Sequence, residues 1–189
     1  MTVALPPVPR GATVNPRLVR VSGDLVSPLG GPTQRITRLG SRYAADVELP
    51  TLDADCAARW IGAALQAEAE GATLSLVMPQ MVDLKPMLGA ALTGTGAAGS
   101  NAVTYVGPDP KPGMWFSFVA GGRHYLHLVT AVNVAGHSLK VSPLLRVAMP
   151  AATALEYLAP VLEGFAEETT WSLEFFKFVG HRITITENA

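Results

Sequence analysis

Along most of this chain apolar and polar residues alternate with a period of two, and one stretch changes to a helical period. The clearest run is Pro112–Arg146. Met114–Ala120 carries large apolar residues in alternation, Gly121-Gly122 supplies a two-residue turn, and His124–Val132 continues the ladder. Gly136 then precedes Leu139–Ser142. The pattern predicts three consecutive strands forming a meander.

Upstream, Leu18–Val21 reads as a short strand after a proline-rich leader, and Ser27–Pro32 as a dense loop. Gln34–Leu39 and Tyr43–Leu49 flank Gly40-Ser41 as an expected hairpin. In its second strand Tyr43, Ala45, Val47 and Leu49 share the buried face, and Arg42, Ala44, Asp46 and Glu48 the wet one. Pro50 closes that strand. Asp53 then caps a predicted helix that runs to about Glu70, with Asp55 in its positive first turn and Gly71 as its left-handed stop. Cys56, Trp60, Ile61, Ala64 and Leu65 form its apolar stripe, with Trp60 as the core anchor. Thr73–Met78 follows as a strand with Leu74, Leu76 and Met78 on one face.

Leu88–Ser100 has small residues and no charge, which predicts a flexible loop. Gly94, Gly96 and Gly99 only partly match a dinucleotide-binding run, and no ribose-binding acid follows in a suitable helix. Pro150-Ala151-Ala152 is expected to break the chain and Leu155–Leu158 to form a brief strand. Trp171–Phe178 and Arg182–Thr186 are expected to pair around Gly180 and complete the sheet begun by Gln34–Leu49. The expectation is a mainly β, α+β chain. Residues 1–85 with 148–189 form one discontinuous domain, and 86–147 form a small inserted β domain.

Composition sharpens this picture. Apolar residues make up 49% of the 189 and charged residues 15%, against about 25% charged in an ordinary soluble domain. Such a surface suits a subunit of an assembly. A net charge of −1 gives no basic face for gripping nucleic acid. Cys56 is the single cysteine, so no internal disulfide forms, and it reads as a small core residue. The leader lacks the basic start and apolar core of a signal peptide. No window approaches the ~18 apolar residues of a membrane span, and the nearest, Val147–Leu158, is interrupted by Pro150 and Glu156.

Searching for chemistry leaves every site class empty: no catalytic, cofactor-binding or metal-binding residue is assigned. His124 and His127, three apart on a strand, point to opposite faces and cannot share a metal. Glu167 and Glu168 are adjacent and read as decorating a turn before Trp171. Ser75, Ser117 and Ser142 sit inside strands with no base nearby. Trp115, Phe116 and Phe118 read as core rather than a base-stacking platform, since only Arg123, Lys140 and Arg146 are basic nearby.

The order of a glycine-rich stretch, Pro112-Gly113 leading into Trp115-Phe116-Ser117, Ala120-Gly121-Gly122-Arg123, Tyr125-Leu126-His127 and a Pro143-Leu144-Leu145-Arg146 exit resembles distal tail proteins and related minor tail proteins of long-tailed bacteriophages and gene transfer agents. Leu92-Thr93-Gly94, Lys111–Met114 and Tyr125–Val129 stand at that group's recurrent positions, and Gln34–Leu65 is similar to its opening half. The likeness spans most of 30–189 and ends on the hairpin sequence ITITENA. It implies a tail-tube-like β-sandwich or barrel with one flanking helix and an inserted β-barrel-like domain. It also implies a structural, non-enzymatic virion protein at the tail tip, assembled in the host cytoplasm without membrane insertion. Copies would form a six-fold homo-oligomeric ring between the tail tube and the tail-tip hub, near the tape-measure protein, with DNA in passive transit. Two other readings stay open. One is a different minor tail protein, either a tube subunit or a tail terminator. The other is a receptor- or glycan-binding module using Trp115, Tyr125 or Tyr105 as stacking platforms.

Overall fold

A computed structural model describes residues 1–26, 30–32, 34–37, 39–84, 90–174 and 177–188. The chain is mainly β with one helix. In chain order the elements are β1 (Thr2–Ala4), β2 (Thr13–Val19), β3 (Ser22–Leu25), β4 (Gln34–Thr37), β5 (Arg42–Leu49), α1 (Ala54–Glu70) and β6 (Thr73–Val77). There follow β7 (Thr93–Gly96), β8 (Ala102–Val106), β9 (Trp115–Ala120), β10 (Arg123–Asn133), β11 (Ser138–Ser142) and β12 (Met149–Ala154). The last two are β13 (Val161–Glu174) and β14 (Lys177–Glu187).

The first sheet has the order β1-β6-β13-β14-β5-β2, antiparallel except for the β1–β6 pair. Helix α1 crosses over one face. The Asp53 side chain accepts from the Cys56 N–H at 2.7 Å, and Gly71 closes the helix at φ +58°. Trp60 and Ala64 are buried as expected, and Ala57 and Ala67 complete the buried face in place of the rest of the expected stripe. Cys56 and Ile61 are half-buried flanks and Leu65 is exposed. Three alanines set the helix close to the sheet, so the one large side chain, Trp60, fills the space between them. Tyr43, Ala45, Val47 and Leu49 are buried as expected, facing Ile183 and Ile185 of β14 and Leu74, Leu76 and Leu162 in the same core. Ala44, expected on the wet face, is fully buried too.

The expected hairpin between Gln34–Leu39 and Tyr43–Leu49 does not form. β4 pairs with β3, and β5 pairs with β2. The two ladders are successive parts of one long hairpin arm, offset where Arg20 and Val21 oppose the stretch ending in Gly40-Ser41. The predicted turn residues therefore make an irregularity along one limb, and strand β2 begins five residues earlier than expected, at Thr13. Ser27–Leu29, part of the predicted loop, lie outside the described residues, as do Arg38 and residues 85–89, which hold the first predicted domain boundary. Past the second, at 147/148, β12 and the buried Leu155 and Tyr157 still belong to the second sheet and its core.

The meander forms as read, with Ala120 facing Arg123 across Gly121 and Gly122 at φ +57° and +77°. Its strands belong to the second sheet, β12-β7-β8-β11-β10-β9. Ser117 and Glu156 exchange both backbone hydrogen bonds at 2.8 Å, which joins β9 to the segment after β12 and nearly closes a barrel. Leu155–Leu158 thus contributes this single bridge instead of a strand. The Pro150-Ala151-Ala152 break is also corrected, because these residues lie within β12, an edge strand with a bulge between Met149 and Thr153. Phe116, Phe118, Val129, Leu139 and Leu145 fill the barrel, while Trp115 and Leu126 point out of it into the first core. Met114–Phe118 is buried on both faces because β9 is a wall shared by two cores.

Two further expectations fail, the first because of close packing around two glycines and the second because a glycine at positive φ accommodates a register shift instead of a turn. Thr93–Gly96, read within a flexible loop, is strand β7. A side chain at Gly94 would meet Met149, Val103 and Leu155 at 3.0–3.1 Å, and one at Gly96 would meet Leu145 at 2.5 Å. The terminal hairpin reverses between Glu174 and Lys177, not at Gly180, which lies inside β14 at φ +96° opposite a register shift. β14 does pair with β5, so the hairpin completes the first sheet as expected.

Gly164 of β13 has no room for a side chain, since an added Cβ would fall on the Thr186 carbonyl and beside Glu187. Gly164→Ala is expected to cost about 3 kcal/mol or more by prising the β13–β14 ladder apart. Gly62→Ala, on the open side of α1, meets nothing within 4 Å and is expected to gain about 0.5–1 kcal/mol. Urea unfolding of the two variants checks the contrast, and equal effects would refute the packing account.

Candidate functional site

The densest set of polar interactions lies where the barrel meets the first sheet. β10 pairs with β9 throughout its first half, but its pairing with β11 begins only at Leu128. Two carboxylates take up the edge left open: Glu163 accepts the His124 N–H at 2.9 Å, and Glu187 accepts the Leu126 N–H at 3.0 Å. Glu187 also accepts from the Tyr43 N–H at 3.2 Å and pairs with Arg146 at 2.6 Å. Glu163 accepts from the Thr2 and Thr73 hydroxyls, each at 2.8 Å. Arg146 donates in addition to the Asn188 carbonyl at 2.6 Å and lies over the Tyr125 ring at 5.1 Å from its centroid.

Burial pushes the Glu187 carboxyl up to about 7, against the pull of Arg146 and the Leu126 and Tyr43 N–H groups toward the ionised form. Glu163 moves the other way. Its burial alone would raise it, but the His124 N–H and the two threonine hydroxyls together hold it below its ordinary value. Sequence reasoning missed both acids. The period of two offered a signal for one: Ile183, Ile185 and Glu187 share the buried face.

Each residue weighed for chemistry has a structural place. His127 is enclosed in the barrel, stacked on Phe118 at an interplanar angle of 11° with Nδ1 3.2 Å from the Pro143 carbonyl oxygen. His124 is half-buried beside Glu163, three residues along the strand, so the two rings are not brought together. Among the described residues no three of His, Cys, Asp or Glu gather as a metal-holding group. Ser117 is fully buried, and its hydroxyl accepts from the Val161 N–H at 3.0 Å. Glu167 and Glu168 decorate no turn. They lie within β13 at a bulge, and Glu167 is 3.6 Å from Arg17. Cys56 packs half-buried against the first core.

The stacking-platform assignment is corrected. Trp115 and Tyr105 are 2% and 1% exposed, and Tyr125 is covered by Arg146 and Phe118. The tryptophan that does reach the surface is Trp171 on β13, 40% exposed, with the 44% exposed Phe165 on the same strand. Among the described residues no helix is long and apolar enough to cross a membrane. No protein-family model matches the chain, and no curated protein matches it.

Two expected outcomes follow from this geometry. Glu187→Gln strands the Arg146 guanidinium in a buried place and is expected to cost about 3–5 kcal/mol, as is Arg146→Met alone. The double variant is expected to lose far less than the sum of the two, so denaturant unfolding of all four forms yields a coupling of roughly 1–3 kcal/mol. Strict additivity would show that the pair does not act as one unit.

Burial lowers His127 from 6.5 to about 3, with the Arg146 charge adding to the effect. The native state therefore holds this ring neutral while the unfolded chain takes up a proton. Its contribution is complete above pH 6.5 and is lost as pH falls toward 3, by on the order of 5 kcal/mol in all. His127→Phe keeps the stacking and removes the titration. Stability measured across that pH range is expected to fall less steeply in the variant, at a cost near neutral pH of about 1–2 kcal/mol for the lost Pro143 contact. An unchanged slope would assign the acid sensitivity elsewhere.

Proposed function

We propose that the chain is a structural virion protein, a distal tail adaptor whose copies form a six-fold ring joining the tail tube to the tail-tip hub and leaving a lumen for DNA. The observation that carries this reading is the open state of the first sheet at both sides. Among the described residues β2 has a partner only in β5, and β6 accompanies β13 only as far as Gly164, so from Phe165 onward β13 has a described strand on one side alone. The run β13-β14-β5-β2 alternates in direction. A second copy displaced along the sheet therefore offers its β2 antiparallel to the free part of β13. Such a head-to-tail contact repeats until it closes, and closure removes the exposed edges.

Phe165 and Trp171 stand on the free part of β13, where a neighbour would cover them. The low charged share and high apolar content are what a permanent interface asks of a surface. A mixed-charge chain with no basic excess fits a lumen through which DNA slides without being held.

Single cysteines test the arrangement in a Cys56→Ser background. One preparation carries a cysteine at Thr13, Asn15 or Arg17, and the other at Glu168, Thr170 or Ser172. Disulfides between strands need Cα atoms within about 7 Å, so mixing and oxidising the two preparations is expected to give a cross-linked dimer for one register only. Light scattering of the unmodified chain should report a closed oligomer, with Trp171 emission shielded from a soluble quencher. A monomer at every concentration would sink the ring; an oligomer without the cross-link would keep the ring and move its interface.

A further inference from the structure

A cleft of about 250 Å³ opens in the crease between the hairpin arm and the barrel. Its polar lining is Arg20 and Ser22 from the arm, Ser41 at the head of β5, and Asn101 and Ser142 from the barrel. Leu18, Val141, Pro143 and Leu144 supply an apolar floor. Four other clefts among the described residues either include a carboxylate or carry no charge at all. One is flanked by Glu68, Glu167 and Glu168, another by Glu48, another by Glu163, and the last is apolar. In this crease Arg20 is the one charged side chain, and no ion pair joins it to a carboxylate among the described residues.

Ser41 Oγ accepts the Val21 N–H at 3.1 Å, which fixes the hydroxyl and leaves its proton to donate elsewhere. The cleft thus offers one cation, several neutral hydrogen-bonding groups and an apolar surface, in a space somewhat smaller than the roughly 300 Å³ at which small-molecule sites usually begin. A guanidinium fork matches a carboxylate in both geometry and charge. A phosphate dianion would keep an unmatched charge here, because among the described residues the crease has neither a second cation nor a helix N-terminus. The hydroxyl groups of a ligand would find partners in Ser22, Ser41 and Asn101, and a face of C–H groups would lie against Pro143 and Leu18, while the Ser142 side chain is already hydrogen-bonded to Tyr43.

We propose that this crease binds a hydroxylated organic acid the size of one sugar ring, a uronate, with its carboxylate on Arg20 and its ring hydroxyls on Asn101, Ser22 and Ser41. The site lies within one copy of the chain and does not rest on the ring reading. Saturation-transfer NMR on the full-length protein tests it with three probes: glucuronate, glucose and inorganic phosphate. Glucuronate should saturate, glucose should bind at least tenfold more weakly, and phosphate should not displace glucuronate. Arg20 is exposed and outside both cores, so Arg20→Gln is expected to keep the fold while losing tenfold or more in glucuronate affinity and none for glucose. Asn101→Ala should weaken both sugars. The proposal is overturned by no glucuronate signal, by equal binding of glucose, by competition from phosphate, or by an Arg20→Gln variant that binds glucuronate as well as the parent.

Discussion

Among the described residues half of one edge of β10 has no strand beside it, and this constraint organises the joint between the two sheets. Backbone N–H groups removed from water without an acceptor are costly. Glu163 and Glu187 supply the acceptors from the far end of the chain, at sequence separations of 39 and 61 from the donors. Placing two carboxylates there brings a second cost, which Arg146, the Tyr43 N–H and two threonine hydroxyls offset. The apolar contacts of Trp115 and Leu126 with the first core hold the same joint by area alone. Hydrophobic burial supplies adhesion there without a preferred register. The carboxylates supply the register, because each reaches one particular N–H.

The same division between adhesion and register explains which parts of the fold were legible in the sequence. Helix α1 was read nearly to the residue because Asp53 and Gly71 act locally, through their own side chain and backbone conformation. The meander was legible because two glycines at positive φ define a tight turn without help from the rest of the chain. The face of α1 that is buried was misjudged by one helical step, because Ala57 and Ala67 look no more apolar than their neighbours until the sheet lies against them. β7 was missed for a related reason. Gly94 and Gly96 suggest freedom in one dimension, whereas in the barrel they are the positions at which Met149, Leu155, Val103 and Leu145 leave no space.

Pairing partners were harder still. β4 and β5 are close in sequence and each has the wording of a hairpin limb, yet they lie end to end along one side of the arm. Local alternation gives the faces of a strand and says nothing about its neighbour. The carboxylate joint is a long-range arrangement of this kind, and so is the crease, whose polar lining comes from four separate stretches of chain. Only the position of Glu187 on an apolar face hinted at its role.

The open edges of the first sheet also carry devices that restrict what can pair with them. Pro16 removes one donor from β2, and β13 changes register at Glu167 and again between Trp171 and Leu173. Such irregularities make an edge a poor template for an arbitrary extended strand, since a flat partner meets its groups only over short stretches. A partner of fixed, complementary shape still pairs, and its register is then determined by the irregularities themselves. Two edges guarded in this way admit only a strand of matching shape, which is what the proposed ring requires. In a ring built from one chain, the strand that meets each edge is always the same, and the guard costs nothing in assembly.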